Sequence, residues 1–273
     1  MPKARISTSV ILATIVLSQG ACSVVSIAQR AEQGTQVNAN DTEYDLYVFV
    51  SEWPGTVCKF KNCTHDQVKK RHFNLHGLWP NYLNGSWPQN CTQTPLNFQN
   101  LSHHLKRRLD EYWSGLWSSQ EDFLAHEWGK HGTCWNPTYG QLGKIPTRLR
   151  HAIRAARNSA VQNPADYLEL VVSIVEYVYD FTDVFRLEGI LPSNTRAYKI
   201  SDMEYAISSK LGIPSSGFAL ECLQDEKGED YLNSVWLCLD RNYQPVGGCG
   251  FLKGNCGDLI HYPLDHLGQK EEE

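Results

Sequence analysis

Apolar residues recur every four positions at Leu101, Leu105, Leu109 and Trp113, a spacing that predicts a helix over residues 96–113. A stronger amphipathic pattern over 164–185 predicts a longer helix, stopped by Gly189-Ile190-Leu191-Pro192. Between them, 119–131 reads as helix. Ser118 or Ser119 would cap it, and Glu121 and Asp122 fall in the first turn, where the helix dipole favours negative charge. Residues 201–211 predict a shorter helix, with Ser201 capping it and Gly212 at its end. Aromatic and β-branched residues over 44–50 predict a strand that runs into a turn at Trp53-Pro54-Gly55. Residues 73–78 predict a buried strand ended by Pro80. Three more strands are expected over 218–223, 235–239 and 243–246, the last two joined by a turn at Asp240-Arg241-Asn242. Residues 81–95, rich in Asn, Gly, Pro and Ser, read as loop.

Composition sets the fold class. The 273 residues are 41% hydrophobic, enough for a sizeable core, and neither a repeat nor a linker divides them. One α+β domain over 44–262 is therefore expected. Residues 29–43 are polar and aperiodic and read as a flexible mature N-terminus; 263–273 form an acidic, frayed tail. Residues 1–28 read as a secretory signal. Lys3 and Arg5 precede a short apolar run over 10–17, and cleavage would follow Ala21 or Ala28. The run is too short for a membrane span. Export implies an extracellular destination or the lumen of a lysosome- or vacuole-type compartment.

The cysteines agree with export. Nine are present, and removing Cys22 with the signal leaves eight, suited to four bridges in an oxidising compartment. A lipoprotein reading of Cys22 meets Gln19 where an aliphatic residue is wanted. No paired CxxC unit suggests zinc. Asn62, Asn84, Asn90 and Asn100 each head a glycosylation acceptor, which marks 62–102 as largely surface.

The net charge of -5 excludes a generic polyanion binder, so any nucleic-acid contact must be local. Lys69-Lys70-Arg71 and the stretch 144–160, with Lys144, Arg148, Arg150, Arg154 and Arg157, read either as solvated faces or as strips for phosphates or an acidic surface. His103 and His104, beside Lys106-Arg107-Arg108, read as surface residues.

Chemistry concentrates in His126-Glu127-Trp128-Gly129-Lys130-His131-Gly132-Thr133-Cys134. On a helix, His126, Glu127, Lys130 and His131 would lie at about 0°, 100°, 40° and 140°. Four titratable groups on one side suggest acid–base work on a negatively charged substrate. A second stretch, Phe73-Asn74-Leu75-His76-Gly77-Leu78-Trp79-Pro80-Asn81, adds a histidine beside an aromatic. A zinc hydrolase would want its two histidines four apart; here they are five apart, and Lys130 would repel a cation. A thiolate nucleophile is disfavoured because each mature cysteine is expected to have a partner; no G-x-S-x-G elbow occurs, and a Ser or Thr nucleophile stays open with nothing in the sequence pointing to one. The remaining option is a substrate that carries its own nucleophile, as RNA does in its 2′-hydroxyl. That reaction needs a base, an acid and positive charge at phosphorus, but neither metal nor cofactor. The acid and the base contribute roughly 10²–10⁴-fold each.

The two stretches, FNLHGLWPN and HEWGKHGTC, resemble the active-site segments of the T2 family of secreted ribonucleases, in its eukaryotic four-disulfide type. The likeness extends to the 44–54 strand, the cysteine order and Gly189-Ile190-x-Pro192, and covers most of 44–262. It implies an antiparallel sheet flanked by helices, with bridges Cys58–Cys63, Cys91–Cys134, Cys222–Cys256 and Cys238–Cys249. It also implies His131 as general base and His76 as general acid. Glu127 and Lys130 would stabilise the pentavalent phosphorus, and His126 would hold the phosphate. Glu127 would then be protonated, or would orient His131 or Lys130. Trp79 and Asn81 would bind a base, with Phe123 as one wall of the pocket; Trp79 reads otherwise as a core residue. Leu124 stands where an aromatic is usual, and Gly129 replaces a polar residue at about 1 kcal/mol of helix propensity.

The activity implied is metal-independent endonucleolytic cleavage of single-stranded RNA by a monomer. It would leave 2′,3′-cyclic phosphates, then more slowly 3′-phosphates, with an optimum at acid to neutral pH. The alternatives are a secreted recognition glycoprotein on the same fold, favoured had a catalytic histidine been lost, and a chelator-sensitive zinc hydrolase.

Overall fold

The computed structural model describes residues 43–63, 71–137, 141–147, 149–158, 163–177 and 180–264. The expected signal peptide, the N-terminal segment up to residue 42, Lys69, Lys70, Arg148 and the tail from residue 265 lie outside the described residues.

Aromatic and branched residues put Leu46–Glu52 into strand β1. The expected turn after it instead opens helix α1 (Pro54–Phe60). Pro54 has its φ preset for a first helical position and lacks the N–H that would go unbonded there. Strand β2 (Asn74–Asn81) runs through Pro80 rather than stopping at it, because β2 lies at the sheet edge, where a residue without an N–H is tolerated. The helix expected over 96–113 begins late. Phe98–Asn100 makes one 3₁₀ turn, and helix α2 (His103–Tyr112) starts where Ser102 Oγ accepts from the Leu105 N–H. Its His103 and His104 are exposed, while Leu105 and Leu109 are buried.

Helix α3 (Gln120–Lys130) is capped by Ser119, which accepts from the Asp122 N–H. The basic stretch gives helix α4 (Arg150–Asn158). There Arg150 donates to the carbonyl of Ile145 and Arg157 to that of Pro137, so both brace the backbone. The single long helix expected over 164–185 is two, α5 (Pro164–Tyr177) and α6 (Phe181–Leu187), the second capped by the Asp180 carboxylate accepting from the Thr182 N–H.

Strand β3 (Ala197–Lys199) leads into α7 (Ile200–Leu211), whose N-cap is Lys199 and not Ser201; Gly212 ends it at φ 66°, where a side chain would be strained. Strands β4 (Phe218–Gln224), β5 (Asp230–Leu239) and β6 (Leu259–His261) complete the sheet. Residues 243–246 are not a strand. Tyr243 turns to φ 61°, and this stretch pairs through a single bridge between Leu239 and Pro245.

The strand order is β2-β1-β5-β6-β3, with β4 also on β5, and all pairs are antiparallel except β5 with β6. The class is α+β, as expected, with one parallel pair added. One face of the sheet buries Tyr47, Phe49, Leu75, Leu78 and Leu237 in the main core with Tyr167, Leu168 and Val171 of α5. Each such side chain contributes about 1.5–3 kcal/mol. The other face carries a smaller cluster of Leu46, Val48, Val50, Cys238 and Cys249, against which Trp79 and Trp236 pack. The structure contains the four bridges Cys58–Cys63, Cys91–Cys134, Cys222–Cys256 and Cys238–Cys249. No described helix is long and apolar enough to cross a membrane.

Candidate active site

A β-bulge aims the first histidine. Val50 pairs with Gly77 but Ser51 pairs with Leu75, so His76 is the extra residue between them. Strict alternation would set Leu75 and Leu78 on opposite faces. The inserted residue lets both enter the core, fully buried, while the His76 side chain stays 29% exposed. Four hydrogen bonds hold the strand here. Trp113 Nε1 donates to the His76 carbonyl at 2.7 Å, and Tyr167 Oη donates to the Leu78 carbonyl at 2.7 Å. The buried Asn74 side chain donates to the Ser114 carbonyl and accepts from its N–H, both at 3.0 Å.

The second histidine comes from the end of α3. His131 is the C-cap of that helix, following Lys130. The segment beyond is pinned to the 82–95 loop by the Cys91–Cys134 bridge. Asn90 N–H donates to the Lys130 carbonyl and Cys91 N–H to Thr133 Oγ1, both at 3.0 Å. A bridge spanning 43 residues is worth about 4 kcal/mol in the loop-entropy model.

Glu127 and Trp79 join the two sides. Glu127 is 1% exposed. Its Oε2 accepts from Trp79 Nε1 at 2.9 Å, and its Oε1 lies 3.5 Å from His76 Nε2. The other nitrogen of His76, Nδ1, is 2.6 Å from Glu52 Oε1. Trp79 lies stacked on His131, ring centroids 4.9 Å apart with planes at 21°, and edge-on to His76 at 5.2 Å. Phe123, one turn before Glu127, meets His76 at 5.7 Å. Gly77 lets these groups close up: a Cβ there would collide with Trp79 Nε1 and Glu127 Oε2.

These surroundings split the two imidazoles. Burial alone would lower the pKa of His76, but Glu52 and Glu127 outweigh it and raise it to about 10. For His131 burial prevails and lowers the value to about 4, helped by the charges of Lys130, His126 and His76 and opposed by Glu127. Burial would raise Glu127, yet His76, His131 and the Trp79 hydrogen bond hold it below the ordinary carboxylate range. At neutral pH the site therefore holds one cationic imidazole, one neutral imidazole and a carboxylate between.

Of the residues picked from sequence, His76, Glu127, His131, Trp79 and Phe123 come together. Lys130 is half-buried and His126 exposed, both near enough to act on the charge of His131. Two expectations change. Glu127 is ionised, and its oxygens go to Trp79 and His76 rather than to His131 or Lys130. Trp79 is no open platform, since His131 already stacks on it. Asn81 lies five residues beyond His76, about 16 Å along the strand, and is 5% exposed. Leu124, fully buried, belongs to the core and walls no pocket. Glu52 was not among the picked residues: it lies in the 44–54 strand that shares the likeness but outside the two histidine stretches, and only the register of β1 on β2 brings it to His76. The four acceptor asparagines, Asn62, Asn84, Asn90 and Asn100, are all exposed.

The family model described as Ribonuclease T2 family matches residues 44–249. Intracellular ribonuclease LX of Solanum lycopersicum is 28% identical over 239 residues, 85% of this chain and 89% of that protein. Ribonuclease 3 of Arabidopsis thaliana is 28% identical over 241 residues, 85% of this chain and 96% of that one. Among solved structures, RNase NT in complex with 5′-AMP matches with a TM-score of 0.63 and 26% identity, covering 81% of this chain and 98% of that chain.

Proposed function

The chain belongs to the Ribonuclease T2 family, an RNA-cleaving endoribonuclease by that membership, and from this premise we propose that it cuts single-stranded RNA through the substrate's own 2′-hydroxyl. The observation that carries the reading is that two imidazoles beside one buried carboxylate differ in protonation, His76 cationic and His131 neutral. Neutral His131 takes the proton from the 2′-hydroxyl as O2′ attacks phosphorus. His131 Nδ1 is buried, which leaves Nε2 for the substrate. The P–O5′ bond breaks, and His76 gives its Nε2 proton to O5′. The product is a 2′,3′-cyclic phosphate. In the slower second step the roles reverse: His76 takes a proton from water, hydroxide adds to phosphorus, and O2′ leaves with the proton from His131.

Lys130 stabilises the charge that builds on the phosphoryl oxygens, and His126, exposed on the same helix face, holds the phosphate. Glu127 acts mainly by fixing Trp79 and His76. A base meets Phe123 beside His76. The reaction calls for no metal or cofactor. The N-terminal signal, the four bridges and the glycosylation acceptors support a secreted or lysosome- or vacuole-type location, with the enzyme acting as a monomer.

Digestion of a defined RNA with and without EDTA, followed by end-group analysis, tests the reading. Cyclic phosphates formed equally in both are expected. Equal cleavage of an analogue blocked at the 2′ position would end it. Lys130→Ala should lower kcat more than it raises KM, since the charge it meets develops in the transition state.

A further inference from the structure

Resting on that reading, we propose that Glu52 is a positioning residue for the leaving-group acid: it fixes one proton on His76 Nδ1, so that Nε2 is the nitrogen that exchanges protons with substrate. Its Oε1 lies 2.6 Å from Nδ1, the shortest polar contact His76 makes, and Glu52 itself is largely buried, its side chain 13% exposed. The fold builds this contact from two directions. The bulge at His76 offsets the ring from its strand neighbours, and Glu52 closes the register of β1 opposite Asn74. The next residue, Trp53, locks the strand end by donating its N–H to the Asn233 carbonyl at 2.7 Å and its Nε1 to the Pro263 carbonyl at 2.6 Å.

The chemistry needs such a partner twice. In the cleavage step cationic His76 carries protons on both nitrogens, and the carboxylate at Nδ1 stabilises that cation. Once Nε2–H has gone to O5′, the neutral ring keeps its Nδ1–H on Glu52. Nε2 is then a bare acceptor facing the phosphorus, as proton removal from water in the second step requires. Without Glu52 the remaining carboxylate, Glu127 beside Nε2, favours the proton on that nitrogen, and the neutral ring then faces the phosphorus with an N–H. The titratable groups around His76 are Glu52 from β1, Glu127 from α3, and neutral His131 across Trp79. Of these, Glu52 alone addresses Nδ1.

The test uses two substrates and two variants of the full chain. RNA needs its 5′-oxygen protonated; a nucleoside 3′-(4-nitrophenyl phosphate) expels a phenolate that does not. Glu52→Ala should lower kcat on RNA by roughly 10–100-fold, by analogy with the loss of a carboxylate that orients a metal-bound imidazole, and leave the aryl substrate within about twofold of wild type. Glu52→Gln keeps an acceptor at Nδ1 but not the charge, so it should retain more RNA activity than Glu52→Ala while its alkaline limb moves toward neutral pH. Equal losses on both substrates would overturn the proposal and leave Glu52 a structural residue. So would an unchanged alkaline limb in Glu52→Gln with its fold intact by circular dichroism. Failure of the wild type to cut RNA would instead strike at the reading of the site itself.

Discussion

The two sides of the site hold the same side chain in opposite settings. On the sheet side, His76 sits on a bulged edge strand between two carboxylates, Glu52 and Glu127. On the helix side, His131 is 4% exposed at a helix end, stacked on Trp79, with its Nδ1 given no hydrogen-bond partner among the described residues. Charge favours the cation on the first side; burial forbids it on the second. The difference teaches that acid and base need not be different residue types. A strand edge and a helix terminus can make them from one, and Trp79, touching both rings, sets their spacing.

Removing either ring breaks the contrast outright and should have the largest effect. His76→Ala and His131→Ala should each cut RNA cleavage by roughly 10²–10⁴-fold. The two should separate on an activated leaving group: His76→Ala recovers there, because no proton is needed, while His131→Ala does not. Near-wild-type RNA cleavage by either variant would refute its role.

A smaller break comes from Gly77. A methyl group there would push apart Trp79 Nε1 and Glu127 Oε2, the bond that spans the site. Gly77→Ala should cost on the order of 1–3 kcal/mol of stability and lower kcat on RNA by roughly tenfold or more, visible as a lower melting temperature with depressed turnover. A variant as stable and active as wild type would show that the collision relaxes freely.

The two sides were also unequally legible. The helix side was written locally: Ser119 and the acidic first turn mark where the helix starts, the spacing of His126, Glu127, Lys130 and His131 sets them on one side of it, and the structure forms that helix up to Lys130 with His131 as its C-cap. The sheet side was legible only as residues. The motif names His76, but the bulge that aims it and the carboxylate that charges it arise from pairing between strands, which no single stretch encodes. The same cause explains the other misses. Pro80 was read as a stop because strand position was unknown, and an edge tolerates it. The short strands Ala197–Lys199 and Leu259–His261 exist only by pairing with each other and with β5. Asp180 did carry a local signal, a cap inside an apparently continuous helix, and the apolar periodicity around it masked that signal.

The pH profile sharpens the contrast without changing any residue. Two ordinary imidazoles would titrate near 6.5 and confine activity to a narrow optimum at acid to neutral pH. Here the base must be neutral, so activity falls as pH drops through the His131 value of about 4. The acid must be protonated, so activity falls as pH rises through the His76 value of about 10. A broad plateau in kcat/KM between those limbs is expected. A sharp bell centred near 6.5 would show that the free enzyme does not keep the two rings apart in charge.

The smallest expected effect tests whether the helix side tolerates what the sheet side does not. Gly129 lies in α3 one residue before Lys130, and a Cβ there would meet nothing within 4 Å. Glycine in a helix interior costs about 0.8–1 kcal/mol relative to alanine. Gly129→Ala should therefore raise stability by up to about that amount, read as a modest increase in melting temperature. Its carbonyl would still accept from Thr133 Oγ1, so the helix end that presents Lys130 and His131 keeps its anchor. RNA cleavage should stay within about twofold of wild type, because the added methyl replaces no contact and displaces neither imidazole. A clear loss of turnover at unchanged stability would mean that the open space beside Gly129 is occupied during catalysis, and that substrate reaches further along α3 than His126 and Lys130.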